Sequence, residues 1–217
     1  MLTTSSRLVI ATTNKGKVKE FVHRFNGMNN TIYSLSDFKD VPSVVEDGDT
    51  FMENAEKKAR TIGDALNLIS LADDSGLCVE VLLGQPGVYS ARYAGETATD
   101  HDNVNKLLQV LLHRSDDEGT VGHTLPIHPL GYKLLSPAYF ACALVLYDPS
   151  NNLVIRVEEI CPGWIIDKPC GEGGFGYDPI FYLPEFGRTM AELTVEEKNK
   201  ISHRGKALDS LFNQLRL

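Results

Sequence analysis

Little in these 217 residues points to a membrane, a disulfide framework or a nucleic-acid groove. The longest apolar stretch, Phe140 to Tyr147, is far below the ~20 residues that span a bilayer. The start, MLTTSSRLVIATTNKGK, lacks a signal-peptide core, because its apolar run from Leu8 to Ala11 is short and ends in polar residues. Only four cysteines occur, Cys78, Cys142, Cys161 and Cys170, with no C-x-x-C pair, so they read as reduced thiols of a cytoplasmic protein. A basic excess is missing too. The formal net charge of −8 argues against a general nucleic-acid binder, but not against a small anion held by a few local lysines. His101, His113, His123 and His128 lack zinc-site spacing, and no P-loop pattern is present.

What remains is the composition of an ordinary folded domain. With 42% hydrophobic and 23% charged residues, disorder, collagen and coiled coil all fit poorly. The length suits one large domain or a two-lobed one, with a core that needs no disulfide or structural metal. Leu8-Val9-Ile10 reads as a buried strand, followed by a helix whose apolar face is Val18, Phe21, Val22 and Phe25. A second strand is expected over Thr31 to Leu35. The capping-box pattern Thr50-x-x-Glu53 opens a helix to about Leu66. Strands follow at Leu68 to Ala72 and Leu77 to Leu82, then a helix from Asp100 to Leu112. His113 to Pro137 breaks the periodicity and reads as a surface insertion. Tyr139 to Tyr147 and Leu153 to Ile160 look like paired strands around an Asp148-Pro149-Ser150-Asn151 turn, and a helix from His203 to Leu215 closes the chain. The expected class is mixed α/β, without internal repeats.

Several segments carry candidate chemistry. Gly171 to Gly176 matches G-x-G-x-x-G, but two prolines and an extended stretch follow where a dinucleotide site needs a helix. A loop that brings backbone close to a ligand, or a tight turn between strands, remains. Asp73-Asp74-Ser75-Gly76 follows an apolar strand, and in an extended chain its two carboxylates point to opposite faces. One can serve as a metal ligand or base in a cleft; the other supports the turn. Lys58 falls inside the apolar stripe of Phe51, Ala55, Ile62 and Leu66, so it must snorkel or meet an anion. Thr12 to Lys17 lies where a strand passes into a helix, a natural phosphate site that a plain N-cap would also explain. Together these segments suit a metal-assisted site for a phosphorylated ligand.

Six blocks in order carry a resemblance: Ala11-Thr12-Thr13-Asn14-Lys15-Gly16-Lys17, Thr50 to Ala55 with Lys58-Ala59-Arg60, Asp73 to Leu77, Pro86 to Tyr93, Gly173 to Pro179, and Ser202-His203-Arg204-Gly205. From about Leu8 to Leu215 the chain resembles the inosine triphosphate pyrophosphatase family. The resemblance implies one domain over 1–217, an elongated mixed α/β fold of two lobes with a nucleotide cleft between them, and a homodimer. It implies Mg²⁺-dependent cleavage of ITP, dITP or XTP to the nucleoside monophosphate and pyrophosphate, with no nucleic-acid or membrane partner. By position, Thr12, Thr13, Asn14, Lys15, Gly16, Lys17 and Lys58 would bind the triphosphate, Glu46 and Asp74 the metal. Asp74 would also be the base for the attacking water, with Asp73 beside it and Ser75 in substrate contact. Phe175, Gly176, Tyr177, Asp178, Lys198, His203 and Arg204 would enclose the base and read its edge. A 6-oxo purine presents an acceptor where adenine presents a donor amine, so donors from His203 and Arg204 would favour inosine and xanthine. Two other readings compete: a pyrophosphatase for other modified nucleotides, and a non-catalytic nucleotide-binding regulator. The 113–137 stretch is longer than the connection expected from the resemblance.

Overall fold

In a computed structural model, residues 7–25, 31–117 and 131–215 are described, apart from the side chains of 115–117. The chain is mixed α/β, as expected. In order the elements are β1 (Arg7–Ile10), α1 (Lys15–Phe25), β2 (Thr31–Ser34), α2 (Phe51–Leu66), β3 (Ile69–Val79), α3 (Asp100–Asp117), β4 (Leu134–Asp148), β5 (Leu153–Ile166), β6 (Phe181–Leu183), β7 (Arg188–Thr189), α4 (Val195–Ile201) and α5 (His203–Leu215). One sheet takes the strands in the order β2-β1-β3-β4-β5-β6-β7. Strands β2, β1 and β3 are parallel, and β5, β6 and β7 pair antiparallel. Leu8, Val9 and Ile10 are all fully buried, the continuous apolar run expected of a strand inside a parallel sheet.

The chain divides into two compact units: Met1–Ser75 with Ala141–Ile160 and Asn199–Leu217, and Gly76–Phe140 with Cys161–Lys198. The first has a core built from Leu8, Ile10 and Leu71 of the sheet, Phe21 and Phe25 of α1, Leu144 and Leu146 of β4, and Leu208, Leu211 and Phe212 of α5. Phe25 and Phe212 meet edge to face, with ring centroids 5.2 Å apart. In the second unit Leu107, Ile165 and Ile180 are fully buried, and Phe140 lies 4.4 Å from Phe181 between ring centroids.

Local chemistry explains most boundaries. Thr50 Oγ1 accepts from the Glu53 N–H at 3.2 Å, and Glu53 Oε2 accepts from the Thr50 N–H at 3.1 Å, so the capping box forms and α2 starts where expected. Asn67 ends it in the left-handed conformation. In the turn after β4, Ser150 N–H and Oγ both donate to Asp148 Oδ1, and Leu153 N–H donates to Asn151 Oδ1.

Four expectations need correction. Val22 is 49% exposed, and the buried face of α1 holds Glu20 with Phe21 and Phe25, because Glu20 has a buried cation to meet. Asp73 to Gly76 is not a loop between two strands: β3 runs through it unbroken, since each carboxylate finds its partners on its own face of the strand. Helix α3 continues to Asp117 and β4 begins at Leu134, so 113–117 and 134–137 belong to regular elements; of the rest of the expected insertion, 131–133 are irregular and 118–130, with His123 and His128, lie outside the described residues. Val195–Ile201 forms an unforeseen short helix, too brief for its periodicity to stand out.

Candidate active site

The first unit gathers its polar residues where β1 ends and its parallel pairing with β3 stops. Ile10 pairs with Leu71, so Thr12 to Lys17 and Asp73 to Ser75 lie beyond the same paired position on neighbouring strands. Carboxyl ends of parallel strands are where α/β proteins place ligands. Asn14 Oδ1 accepts from the N–H groups of Gly16 and Lys17 at 2.9 and 3.1 Å, which caps α1 and fixes the direction of Lys17.

Asp73 and Asp74 face opposite ways, as extended backbone requires. Asp73 is almost fully buried, and its Oδ2 takes Lys17 Nζ at 2.9 Å, Arg204 Nη2 at 3.1 Å and the Ser75 hydroxyl at 3.2 Å. Arg204 is 2% exposed and also binds Glu20 and, at 2.9 Å, Ser75 Oγ. Burial opposes the charge on Asp73, but Lys17, Arg204 and Lys58 outweigh it and hold the carboxyl well below the usual range. Asp73 Oδ1 is buried and has no hydrogen-bond partner among the described residues.

On the other face, Asp74 Oδ2 accepts from Asn54 Nδ2 at 3.0 Å and Oδ1 from the Ser75 N–H at 3.1 Å. Lys58 Nζ sits 3.1 Å from Glu46 Oε1 and 3.7 Å from Asp74 Oδ1. The buried lysine of α2 therefore meets anions rather than snorkelling. Burial acts to lower its pKa, and Asp73, Asp74 and Glu46 reverse this and raise it. Asp74 moves the opposite way to Asp73: burial lifts its pKa and Glu46 adds to this, against Lys58, Lys17 and Asn54. Two adjacent carboxyls are thus pushed apart in basicity.

Among the described residues, no three His, Cys, Asp or Glu side chains gather into a metal cage. Mg²⁺ does not need one, since it commonly takes one or two carboxylates and completes its shell with water and phosphate oxygens. A carboxylate offers about four lone-pair sites, and Asp74 commits two of them to Asn54 and Ser75. Glu46 and Asp74, drawn to one ammonium, make a hard-oxygen donor pair that fits Mg²⁺.

Thr12, Thr13, Lys15, Glu46 and Lys58 line a cleft of about 730 Å³ in this unit. His203 is buried at the start of α5, where Gly205 lets α5 approach the Asn199 carbonyl; a Cβ there would lie 2.1 Å from that oxygen.

The second unit holds Phe175, Gly176, Tyr177, Asp178 and Lys198. Lys198 Nζ is 2.8 Å from Asp178 Oδ2 and lies over the Phe175 ring, 5.2 Å from its centroid. The same Asp178 oxygen accepts from the Phe175 N–H at 2.9 Å. Gly174, at φ +76°, is a close approach as well as a turn, because a Cβ there would fall 2.1 Å from Asp178 Oδ2. Gly176 N–H donates to Asp100 Oδ2 at 2.7 Å, and the Tyr177 hydroxyl donates to the Ser90 carbonyl at 2.9 Å. The glycine-rich segment is a loop folded around its own aspartate.

Glu20, Asn54 and Asp100 were not singled out from the sequence. Asn54 had a signal: it lies four residues before Lys58 on the buried stripe of α2, a second polar residue where apolar ones belong. Glu20 and Asp100 had none, since their partners lie 184 and 76 residues away.

A family model described as the Ham1 family matches residues 8–125 and 129–214. A dITP/XTP pyrophosphatase of Geobacillus kaustophilus is 48% identical over 207 residues, 95% of this chain and 93% of that protein. One from Geobacter sulfurreducens is 46% identical, covering 97% and 96%. Among solved structures, a HAM1 protein from Coxiella burnetii superposes with a TM-score of 0.80 at 37% identity, over 97% of this chain and 98% of that one. A nucleoside-triphosphatase / dITP/XTP pyrophosphatase from Mycobacterium abscessus gives a TM-score of 0.68 at 35% identity, over 96% and 99%.

Proposed function

The chain belongs to the Ham1 family, and from that premise we propose that it is a hydrolase of non-standard purine nucleoside triphosphates, cutting ITP, dITP or XTP to the monophosphate and pyrophosphate. The names of its relatives support the reaction class. The observation that carries the reading here is Lys58, a buried ammonium held between Glu46 and Asp74 beyond the point where β1 and β3 cease to pair.

In this reading Lys17 and Lys58 bind the triphosphate through its charge, with the hydroxyls of Thr12 and Thr13 and the backbone of Asn14 to Gly16 beside them. Asp74 takes a proton from the attacking water. Its raised basicity suits that task better than an ordinary aspartate would. The water oxygen bonds to the α-phosphorus, the α–β bridge breaks, and the bridging oxygen leaves with its electron pair on pyrophosphate. The lysines offset the charge that builds there. Mg²⁺, held by Glu46 and Asp74, would neutralise phosphate oxygens and acidify bound water. Asp73, kept ionised by Lys17 and Arg204, fixes the direction of Lys17.

In this reading His203 supplies a donor for a 6-oxo edge. Arg204 was expected beside it from the family resemblance; its guanidinium is engaged by Glu20, Asp73 and Ser75 in this structure, so it serves here as the anchor of Asp73.

The test is Asp74→Asn, which keeps the shape and removes the base. Pyrophosphate release should fall by about 10²- to 10⁴-fold while inosine nucleotide still binds. Undiminished release would remove Asp74 from the reaction.

A further inference from the structure

The cleft of the first unit extends past the residues that the proposed reaction uses. Besides Thr12, Thr13, Glu46 and Lys58, it is lined by Lys15 and Lys19 of α1, by Ser34 at the end of β2, and by Ser36 and Lys39 after it. Because β1 and β2 are parallel neighbours, the segments leaving their carboxyl ends wall the same space. Lys15 and Lys19 are four residues apart and share one face of α1, a like-charge spacing that an isolated helix disfavours. Lys17, Lys57, Lys58 and Lys198 all have carboxylate partners. Lys15, Lys19 and Lys39 have no ion-pair partner among the described residues. The nearby carboxylate of Asp37 already accepts from the Ser34 N–H at 2.7 Å and the Ser34 hydroxyl at 3.1 Å. In a chain of net charge −8, four lysines face one carboxylate across this cleft. Of the four, Lys58 is paired with Glu46 and Asp74, and the other three have no carboxylate partner among the described residues.

We propose that Lys15, Lys19 and Lys39 form a second phosphate subsite that adjoins the triphosphate site and takes a polyphosphate anion. Two sources share that chemistry: pyrophosphate leaving after cleavage, and the terminal phosphates of a chain longer than three. The subsite rests on the reading of Thr12 to Lys17 and Lys58 as the triphosphate site. The cleft as a whole, at about 730 Å³, falls within the ~300–1,000 Å³ common for small-molecule pockets.

The test is a direct titration of the full chain with inorganic pyrophosphate, comparing the parent with Lys19→Ala/Lys39→Ala. Two charge-assisted contacts are removed, so the Kd should rise by about tenfold or more. A control, Lys133→Ala/Lys206→Ala, lowers net charge equally outside the cleft and should shift it less than about twofold. Matching melting curves establish that both variants are folded. Titration with inosine 5′-tetraphosphate and ITP separates the sources: a loss specific to the tetraphosphate marks a subsite for longer chains, and a loss specific to pyrophosphate marks the product's path. Unchanged pyrophosphate affinity in the cleft variant, or equal weakening in the control, overturns the proposal. Because binding is read without turnover, a chain that binds pyrophosphate through Lys19 and Lys39 yet leaves ITP intact would refute only the pyrophosphatase reading.

Discussion

Lys58 and Asp73 show how single side chains divide binding from stability. Lys58 has Glu46 as a partner whose side chain is 35% exposed, so removing the ammonium lets that carboxylate turn to water. Lys58→Ala should therefore keep the fold and weaken triphosphate binding by roughly tenfold or more, measured by titration. Unfolding with no change of affinity would return Lys58 to a packing role. Asp73 is the reverse case, since its partner Arg204 has a side chain only 2% exposed and cannot turn to water. Asp73→Asn should cost about 3–5 kcal/mol at neutral pH, read from urea denaturation of the metal-free protein. Its pKa in the fold lies below the ordinary 3.8, so its contribution is fully present above that value and is lost as pH falls through the folded-state value. The gap between parent and variant should then close below about pH 4. Lys58 could be singled out from its place on an apolar stripe. Asp73's burial could not, because Arg204 reaches it across 131 residues of chain and no local pattern records that.

At the level of elements, short-range chemistry was legible and long-range pairing was not. The boundaries of α2 follow from Thr50, Glu53 and a stripe of apolar residues within one helix. The continuity of β3 depends instead on Asn54, Lys58, Lys17 and Arg204 arriving from elsewhere to neutralise Asp73 and Asp74. Read alone, two aspartates, a serine and a glycine look like a turn. The glycine-rich loop is similar: a tight turn or backbone brought close to a ligand was expected, and the structure shows a turn packed on its own Asp178. Gly174→Ala should destabilise by about 1–3 kcal/mol through its positive φ and its contact with Asp178. Gly176→Ala, with open space around it, should cost less. Equal melting temperatures for the two variants would show that the Asp178 contact does not constrain the loop.

At the scale of the whole molecule, candidate site residues that look unrelated in linear order fall into two groups. Thr12 to Lys17, Glu46, Lys58, Asp74 and Arg204 belong to one compact unit, and Phe175 to Asp178 with Lys198 to the other. Composition alone left room for a small anion held locally in a net-acidic, ordinary folded chain, and the cleft of the first unit is lined by four lysines. The most direct measurement is pyrophosphate release from ITP, dITP, XTP, GTP and ATP, with Mg²⁺ and with excess EDTA. The expected result is rapid release from the inosine and xanthine nucleotides, little from ATP and GTP, and none in EDTA. Equal release from all five, release undiminished by EDTA, or no release from any would contradict the assignment of Glu46, Lys58 and Asp74 to a metal-assisted cut of non-standard purine triphosphates.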